Sequence, residues 1–588
     1  MFKQLQPLFP YMRRYRRSFF WGGVSVVLSN LIWIFFPQVI RVAIDDLNVG
    51  VTEKKIWLYA SLLVAVSVAK GIFLFLTRWI IIGISREIEF DLRNDLFLQL
   101  EKQSAAYYQE HRTGDIMARM TNDLNAVRML LGPAIMYSAN TVLFSVGALF
   151  FLLKISPFLT LVALVPLPLA SILVQAMGRK IHERFERIQA MFSDISAQAQ
   201  ENFSGARLVR AFAQEEAQIA AFEKSNREYI RRGLRLVQLM GMLWPTLEFV
   251  LGLAMAISLL VGGHEVISHR ISVGDFVAFN TYMLMLTWPV IALGWVVNLF
   301  QRGTASVARI DELLKAKPAI DDRDADTSIP ADFTLRGEIE FRDLTFSYHQ
   351  DDRNGAEVLH NISLTIPEGS SLALVGPTGS GKSTLVNLIA RVYDAQPGGI
   401  LMDGRPIRDF PLDVLRANIG FVPQETFLFS ETIRGNIAFG VPQATAEEVF
   451  RAAEAAHIRK EFEEFPHGFE TMVGERGLTL SGGQKQRSAL ARAILRDPRI
   501  LILDDSLASV DTYTEERILE ELRSIMRDRT TILISHRIST VRHADQIAVL
   551  IAGRIAELGT HDELLARNGH YANLFQKQLL EEELSVTR

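Results

Sequence analysis

Uncharged segments long enough to cross a lipid bilayer constrain this chain more than any other feature. Residues 21–40 (WGGVSVVLSNLIWIFFPQVI) contain no charged side chain, and about twenty apolar residues in an α-helix span the hydrocarbon core of a membrane. Buried helices of soluble proteins seldom reach this length without a charge. Comparable segments predict six membrane spans, at about residues 19–42, 56–84, 129–153, 155–178, 236–263 and 273–301.

The distribution of Lys and Arg predicts the orientation of these spans. Residues 1–18 carry five, residues 85–128 carry six and residues 179–235 carry eleven, whereas the other loops carry few. Because basic loops stay in the cytoplasm, both termini and the two long loops are expected there. No small-residue cleavage site follows the first apolar segment, so we interpret it as a span and not as a signal peptide.

Charged residues within or near the ends of the predicted spans include Lys70, Arg78, Glu248 and Asp275, and such residues are functional candidates by default. Arg78 and Asp275 lie near span ends, where snorkelling or pairing would accommodate them. For Lys70 and Glu248 two interpretations stay open, a place on the path of a transported substrate and a structural role in the bundle.

The two long basic loops are charged and helical in pattern, so we expect them to extend the membrane helices into the cytoplasm as hairpins. At 1.5 Å per residue such hairpins reach roughly 30–40 Å. Two segments with turn residues, 107–115 and 201–207, are expected at the hairpin tips, where they would contact another domain. The first is expected to make this contact mainly through its aromatic pair, Tyr107 and Tyr108. A solvated helical stalk is the alternative.

The second half of the chain is a separate, soluble unit. Residues 316–336 are acidic, contain two prolines and lack periodicity, which indicates a linker that follows a membrane domain at 1–315. Residues 337–578 alternate between strand-like and helical patterns, as in an α/β domain, and 579–588 form a tail. The predicted fold is therefore an all-α membrane domain fused to an α/β P-loop domain.

Composition excludes several other functions. Lys+Arg total 62 and Asp+Glu total 66, a net charge of −4 that lacks the basic excess of a nucleic-acid-binding protein. The chain has no cysteine, so disulfides, thiol catalysis and Cys-ligated metal centres are excluded.

A phosphate-binding loop is the most specific motif. Residues 376–383 (GPTGSGKS) follow an apolar strand at 371–375, precede a helix and fit G-x-x-x-x-G-K-[ST]. Backbone N–H groups and the helix N-terminus would hold phosphates there, Lys382 would neutralise the β- and γ-phosphates, and the Ser383 hydroxyl would bind Mg²⁺. The predicted ATP-binding residues of this loop are Gly376, Pro377, Thr378, Gly379, Ser380, Gly381, Lys382, Ser383 and Thr384.

Two further motifs accompany the loop. The apolar strand 500–503 ends in Asp504, a second ligand for Mg²⁺. Ser481, Gly482, Gly483 and Gln484 open a helix and form another anion-binding turn. One domain has only one phosphate loop, so this turn is expected to face a nucleotide held by a second copy of the domain.

In this combination of motifs the chain resembles the ATP-binding cassette transporters, specifically exporter-type half-transporters. The resemblance implies that Tyr348 stacks on adenine and that Gln424 senses the metal and the γ-phosphate. It implies that residues 480–484 are the signature and that His536 is the switch histidine. It also identifies 471–477 as a contact to the partner, 508–511 as the D-loop, and the hairpin tips as coupling helices.

The chain departs from the family at the residue after the magnesium aspartate. The family has a catalytic glutamate there, whereas this chain has Asp505, whose side chain is one methylene shorter. A displacement of about 1 Å can cost on the order of 10²-fold in rate, so the site on this phosphate loop is predicted to bind ATP and hydrolyse it slowly. The D-loop also departs from the family pattern, because residues 508–511 read ASVD in place of the usual SALD.

This combination resembles the degenerate-site subunit of bacterial heterodimeric exporters. It implies an ATP-driven exporter of a small or amphipathic substrate in the bacterial plasma membrane, with ATP and Mg²⁺ as cofactors and surrounding lipid. The implied partner is a second half-transporter with a catalytic glutamate and a degenerate signature. Alternatives are a homodimeric exporter that uses Asp505 as base, an exporter-fold siderophore importer and an ATP-gated channel. The identity of the substrate is not predicted.

Overall fold

The chain, described here from a computed structural model, forms two compact units. The structure describes residues 2–348, 357–474, 477, 479–508 and 512–586. The helical unit comprises Met1–Phe97 and Met117–Leu314, and the α/β unit comprises Leu98–Ile116 and Lys315–Arg588. Residues 98–116 group with the α/β unit, whereas the predicted membrane domain, 1–315, includes them.

Long helices form the helical unit, and their length confirms that the membrane helices extend beyond the bilayer. The described residues include five helical stretches long and apolar enough to cross a membrane: Arg16–Val49, Glu53–Glu101, Thr113–Ile155, Glu215–Ile267 and Val273–Lys315. The remaining helices of this unit include Pro157–Leu164, Pro166–Ser204 and Ala206–Ala211.

The predicted fourth span, 155–178, is not one continuous helix. It is divided between Pro157–Leu164 and Pro166–Ser204, and it is not among the five stretches. Pro166 lies in the first turn of the second helix, where its missing N–H breaks the hydrogen-bond ladder of the preceding helix. The apolar pattern continues across this break, so the sequence alone predicted a single span.

Polar contacts join the first and last long helices. Asp275 forms an ion pair with Arg41 at 2.7 Å, which is one of the two roles predicted for Asp275. The Asp45 carboxylate accepts hydrogen bonds from the Ser272 hydroxyl at 2.7 Å and from the Gly274 N–H at 2.8 Å. A Cβ on Gly274 would lie 2.3 Å from the Arg41 carbonyl oxygen, so this close approach requires glycine.

Two sheets build the α/β unit. A smaller antiparallel sheet has the strand order β2-β1-β4-β5, and a larger, mostly parallel sheet has the order β10-β9-β3-β8-β7-β6. The strands are β1 Ile339–Phe346, β2 Leu359–Ile366, β3 Ser371–Val375, β4 Ile400–Met402, β5 Arg405–Pro406, β6 Ile419–Val422, β7 Ile500–Asp504, β8 Thr530–Ile534, β9 Gln546–Ile551 and β10 Arg554–Gly559.

Helices cover the larger sheet on its faces. Strands β7 and β8 are buried along their whole length, as expected for parallel strands between helical layers. The principal helices of this unit are Lys382–Ile389, Leu412–Ala417, Ala446–Ala455, Gly482–Leu495, Thr512–Met526, His561–Ala566 and His570–Val586.

Both predicted ends of the α/β domain differ from the structure. Linker residues 316–336 pack onto the domain, since Leu335 is 1% exposed and its N–H donates to Asn418 Oδ1. The predicted domain end at 578 falls inside the continuous helix His570–Val586.

Candidate ATP-binding site

Four neighbouring parallel strands bring the predicted motifs to one edge of the larger sheet. Strands β3, β8, β7 and β6 lie side by side and run in the same direction. The phosphate loop follows β3, His536 follows β8, Asp504 ends β7 and Gln424 follows β6. Because ligands of open α/β sheets bind at the carboxyl ends of the strands, this edge is the candidate site.

Glycines shape the phosphate loop. Gly376, Gly379 and Gly381 have φ angles of 148°, 81° and 100°, in the region that side-chain-bearing residues rarely adopt. A Cβ on Gly376 would lie 2.1 Å from the Leu550 carbonyl oxygen. The residues of the loop between these glycines include Pro377 and Thr378, which are exposed.

Lys382 is folded back over this loop. Its ammonium group donates hydrogen bonds to the carbonyl oxygens of Gly376 and Pro377, both at 2.9 Å. Burial lowers the pKa of Lys382, while the carboxylates of Asp504 and Asp505 oppose that shift. An anionic phosphate near this ammonium would offset the cost of burying its charge.

Two buried oxygen atoms at the site have no hydrogen-bond partner. They are Asp504 Oδ1 and Ser380 Oγ, on residues 3% and 2% exposed. Buried polar atoms are normally paired, so these two indicate a ligand that completes the site.

The oxygen atoms at Asp504 fit a magnesium ion. The Ser383 side chain is hydrogen-bonded to the Asp504 carboxylate, while burial and the neighbouring Asp505 charge raise the pKa of Asp504. Carboxylate and hydroxyl oxygens are the hard ligands that Mg²⁺ takes, and its charge would favour the ionised form of Asp504. Gln424, the third predicted ligand, is exposed in the loop after β6.

Asp505 occupies the position directly after the buried strand. Its backbone has a φ angle of 47°, and its N–H donates to the Ile534 carbonyl oxygen at 2.9 Å. Left-handed backbone at a residue other than glycine is uncommon and is often found at functional sites. This bond to the end of β8 fixes the backbone from which the carboxylate extends.

The signature turn lies at the exposed start of the helix Gly482–Leu495. Ser481 and Gln484 cap this helix reciprocally. The Ser481 N–H donates to Gln484 Oε1 at 2.9 Å, and the Gln484 N–H donates to Ser481 Oγ at 3.3 Å. Gln484 also donates to Glu461, and none of the described hydrogen bonds joins this turn to the phosphate loop. Ser481 and Gly482 are exposed, and Gly483 is half-buried.

Tyr348, the predicted adenine contact, makes two contacts that the sequence did not indicate. Its hydroxyl lies 2.7 Å from the Thr384 hydroxyl, and its ring packs edge-on against Tyr393 with centroids 5.0 Å apart. The ring is 38% exposed. Tyr393 in turn accepts a 2.7 Å hydrogen bond from Gln109, in the short helix Ala105–Glu110.

The helix Ala105–Glu110 therefore docks on the α/β unit, as expected for the first hairpin tip, but through a different side chain. Tyr107 and Tyr108 were predicted as the docking pair. In the structure Tyr107 stacks on His111, and the Tyr108 hydroxyl donates to the Leu100 carbonyl oxygen.

Residues of the second tip group with the helical unit. Phe203 near this tip is 81% exposed.

Gln578 is a second residue that sequence reasoning missed. From the helix His570–Val586 it donates to the His536 carbonyl oxygen and accepts from the Ile538 N–H, both at 2.9 Å. The C-terminal helix thus holds the loop that carries the predicted switch histidine.

Two other predicted motifs fall partly outside the described residues. These are residues 509–511 of the D-loop and residues 475 and 476 of the predicted partner contact.

A phosphate loop at the strand ends of an α/β domain, on a chain with several membrane-crossing helices, defines an ATP-powered membrane transporter. Comparison with known proteins supports this class. The model of the ABC transporter transmembrane region matches residues 19–290, and the ABC transporter model matches residues 359–508.

Full-length relatives come from several bacteria. The probable multidrug resistance ABC transporter ATP-binding/permease protein YheI of Bacillus subtilis is 36% identical, over 99% of this chain and 98% of that protein. The multidrug resistance-like protein MdlA of Escherichia coli is 34% identical, over 98% and 96%. An ATP-dependent lipid A-core flippase of Syntrophus aciditrophicus is 35% identical, over 95% and 92%.

A solved structure extends this likeness to three dimensions. The structure of a bacterial Atm1-family ABC exporter with ATP bound superposes with a TM-score of 0.77 at 30% identity, over 96% of this chain and 98% of that one. The chain belongs to the ABC transporter family. It is an exporter half-transporter of the bacterial inner membrane, an ATPase-coupled transporter with a cytoplasmic ATP-binding domain.

Proposed function

We propose that this chain is the weakly hydrolysing half of a heterodimeric exporter that moves a small or amphipathic substrate. One observation carries the proposal: the position after the magnesium aspartate holds Asp505, while the phosphate loop and the signature turn are complete. The shorter side chain holds its carboxylate farther from an attacking water than a glutamate would. Because phosphoryl transfer depends on positioning, slow hydrolysis follows.

The residues around the phosphate loop bind and orient ATP in this proposal. Backbone N–H groups of residues 378–381 and the Lys382 ammonium hold the β- and γ-phosphates, and Tyr348 contacts the adenine. Ser383, Gln424 and Asp504 would hold Mg²⁺, which when bound neutralises charge on the phosphates. His536 lies beside the γ-phosphate on the loop that Gln578 holds.

The signature turn serves the other nucleotide. Its backbone at 481–483, exposed at Ser481 and Gly482, presents N–H groups that no described hydrogen bond ties to this chain's own phosphate loop. A second half-transporter would place its phosphate loop, and a glutamate, against this turn. Efficient hydrolysis then takes place at that composite site.

Affinity purification tests the identity of the partner. The chain is purified from its own cells through an affinity tag, and co-purifying subunits are identified by mass spectrometry. We expect a second half-transporter with glutamate after its magnesium aspartate and an altered signature. Recovery of this chain alone, as a dimer with rapid ATP hydrolysis, would instead support a homodimer that uses Asp505 as base.

Transport assays in inside-out vesicles separate export from import. ATP-dependent accumulation inside such vesicles is the expected result for an exporter. Depletion of a preloaded substrate would identify an importer built on the same fold.

A further inference from the structure

The membrane-spanning helices line an open cavity of about 390 Å³, within the size range of small-molecule sites. Two cationic side chains, Lys70 and Arg78, line it together with aromatic and amide side chains. No acidic residue is among its lining residues. The cavity belongs entirely to the helical unit.

Both cations come from one helix, Glu53–Glu101. Lys70, Leu74 and Arg78 follow one another at intervals of four residues and all line the cavity. At 1.5 Å per residue the two charged residues are about 12 Å apart along the helix axis. The helix therefore presents an apolar residue between two positive charges.

Lys70 and Arg78 have no anionic partner among the described residues, in contrast to two arginines elsewhere in the helical unit. Arg41 pairs with Asp275 at 2.7 Å, and Arg270 pairs with Glu265 at 2.8 Å. The Lys70 ammonium instead lies 3.4 Å from the ring centroid of Trp33. A cation–π contact holds an ammonium in place and leaves its positive charge uncompensated.

The rest of the lining suits an amphipathic molecule. Trp33, Tyr137, Phe144 and Trp288 supply aromatic surface. Asn30 donates to Asn140 Oδ1 at 2.7 Å, and no described hydrogen bond uses the Asn140 amide nitrogen, so it remains a donor. The polar groups of the cavity thus offer positive charge and N–H donors, which is the chemistry that binds anions.

We propose that this cavity binds the transported substrate and that the substrate is an amphipathic anion, with an apolar body and a carboxylate, sulfate or phosphate head. The head lies at Lys70 and Arg78, and the body lies against the aromatic residues. Ionisable residues within membranes are costly and mark substrate paths. This inference rests on the proposed transport function, and it assigns Lys70 to the substrate path. Glu248 is not part of this lining.

Matched probes of opposite charge test the class of substrate. The full-length chain, purified with its co-purifying subunit, is placed in nanodiscs of zwitterionic lipid. Binding of dansyl-labelled undecanoic acid is compared with binding of the dansyl-labelled amine of the same chain length. We expect the acid to bind at least 10-fold more tightly. The proposal is overturned if the acid is not preferred over the amine and the anionic lipid probe described below is not preferred over its zwitterionic counterpart.

Variants test the site itself. Lys70→Gln combined with Arg78→Gln is expected to weaken binding of the acid at least 10-fold, and Lys70→Arg is expected to retain it. Lys154→Gln is the matched control, since Lys154 ends a span but does not line the cavity. Unchanged binding of the acid by the double variant, with a normal elution profile and melting temperature, would overturn the assignment.

Two further measurements separate a lipid substrate from a soluble one, and failure of the substrate class from failure of the proposed function. Fluorescent phosphatidic acid, compared with phosphatidylcholine carrying the same label, tests whether a lipid supplies the anionic head, and preference for either anionic probe supports the proposal. ATPase activity is measured on the wild-type complex in the same nanodiscs. Normal ATPase activity without anion preference overturns only the substrate class, whereas absence of ATPase activity counts against the proposed function.

Discussion

The Lys382 ammonium donates to two backbone carbonyls of the phosphate loop, and burial lowers its pKa. A bound phosphate replaces these neutral acceptors with charged ones, and hydrogen bonds to charged groups are roughly twice as strong. We therefore predict that Lys382→Ala lowers the affinity for ATP by about 10²-fold, equivalent to about 2.8 kcal/mol.

Titration with a fluorescent ATP analogue measures this change. Lys460→Ala, which removes an exposed lysine of the same unit, is the control and should bind normally. Retention of wild-type affinity by Lys382→Ala would show that the loop binds phosphate without its lysine.

Gly376 and Gly379 allow steric fit to be separated from backbone strain. Both have positive φ, but a Cβ at 376 would lie 2.1 Å from the Leu550 carbonyl oxygen, whereas nothing lies within 4 Å of a Cβ at 379. A side chain in left-handed backbone costs roughly 1–2 kcal/mol. We predict that Gly379→Ala lowers the stability by about that amount and that Gly376→Ala lowers it further.

Thermal unfolding of the ATP-free protein, monitored by the melting temperature, checks this order. Equal melting temperatures for the two variants would mean that the loop moves away from Leu550 without cost.

Much of the ATP site could be predicted from sequence because its residues follow directly after strands. Asp504 ends a wholly apolar strand, and Lys382 closes a glycine-rich turn, so local pattern identifies both. The contacts of Tyr348 with Thr384 and Tyr393 could not be predicted in this way. They join residues distant in sequence, and no periodicity specifies which tyrosine packs against which.

The helices show the same limit: their length follows from local sequence pattern, whereas their breaks and long-range contacts do not. The length of the helices Glu53–Glu101 and Glu215–Ile267 follows from apolar spans that continue into charged helical segments. The break at Val165 could not be predicted from sequence pattern, because the residues on both sides of it are apolar. The docking of Ala105–Glu110 on the α/β unit was expected, but Gln109 reaches a tyrosine 284 positions away, and an exposed glutamine gives no signal in sequence.

This docking helix leads to a prediction about coupling. Tyr393→Phe removes the hydroxyl that accepts the Gln109 bond and keeps the ring that packs against Tyr348. We predict that basal ATP hydrolysis continues while its stimulation by transported substrate falls several-fold, because the helix loses its bond to the residue beside the adenine contact. The measurement is ATPase activity of the reconstituted complex with and without substrate.

Tyr229→Phe, in a tyrosine of the second cytoplasmic hairpin that lies near Phe192, is the control for loss of a hydroxyl. Gln109→Ala should reproduce the effect of Tyr393→Phe. If Tyr393→Phe and Gln109→Ala both keep the full stimulation of ATP hydrolysis by substrate, the Gln109–Tyr393 bond has no part in coupling.

In the proposed pair of chains, each ATP lies between the phosphate loop of one subunit and the signature turn of the other. Asp505 and the intact signature turn of this chain therefore act on two different nucleotides. Damage to these two motifs should have unequal consequences, and the inequality distinguishes a heterodimer from a homodimer. In a homodimer both motifs would serve equivalent sites.

Three variants of the co-expressed pair measure this asymmetry. Ser481→Arg puts a long side chain where backbone N–H groups approach the partner's γ-phosphate, and we predict loss of transport and of most ATP hydrolysis. On the proposed function, Asp505→Asn removes a carboxylate that falls about 1 Å short of the position a glutamate would reach, and we predict that most transport remains. Asp505→Glu should raise hydrolysis modestly, since a degenerate signature opposite limits the gain. If Asp505→Asn is as inactive as Ser481→Arg, then Asp505 is a working base and the chain functions as a homodimer.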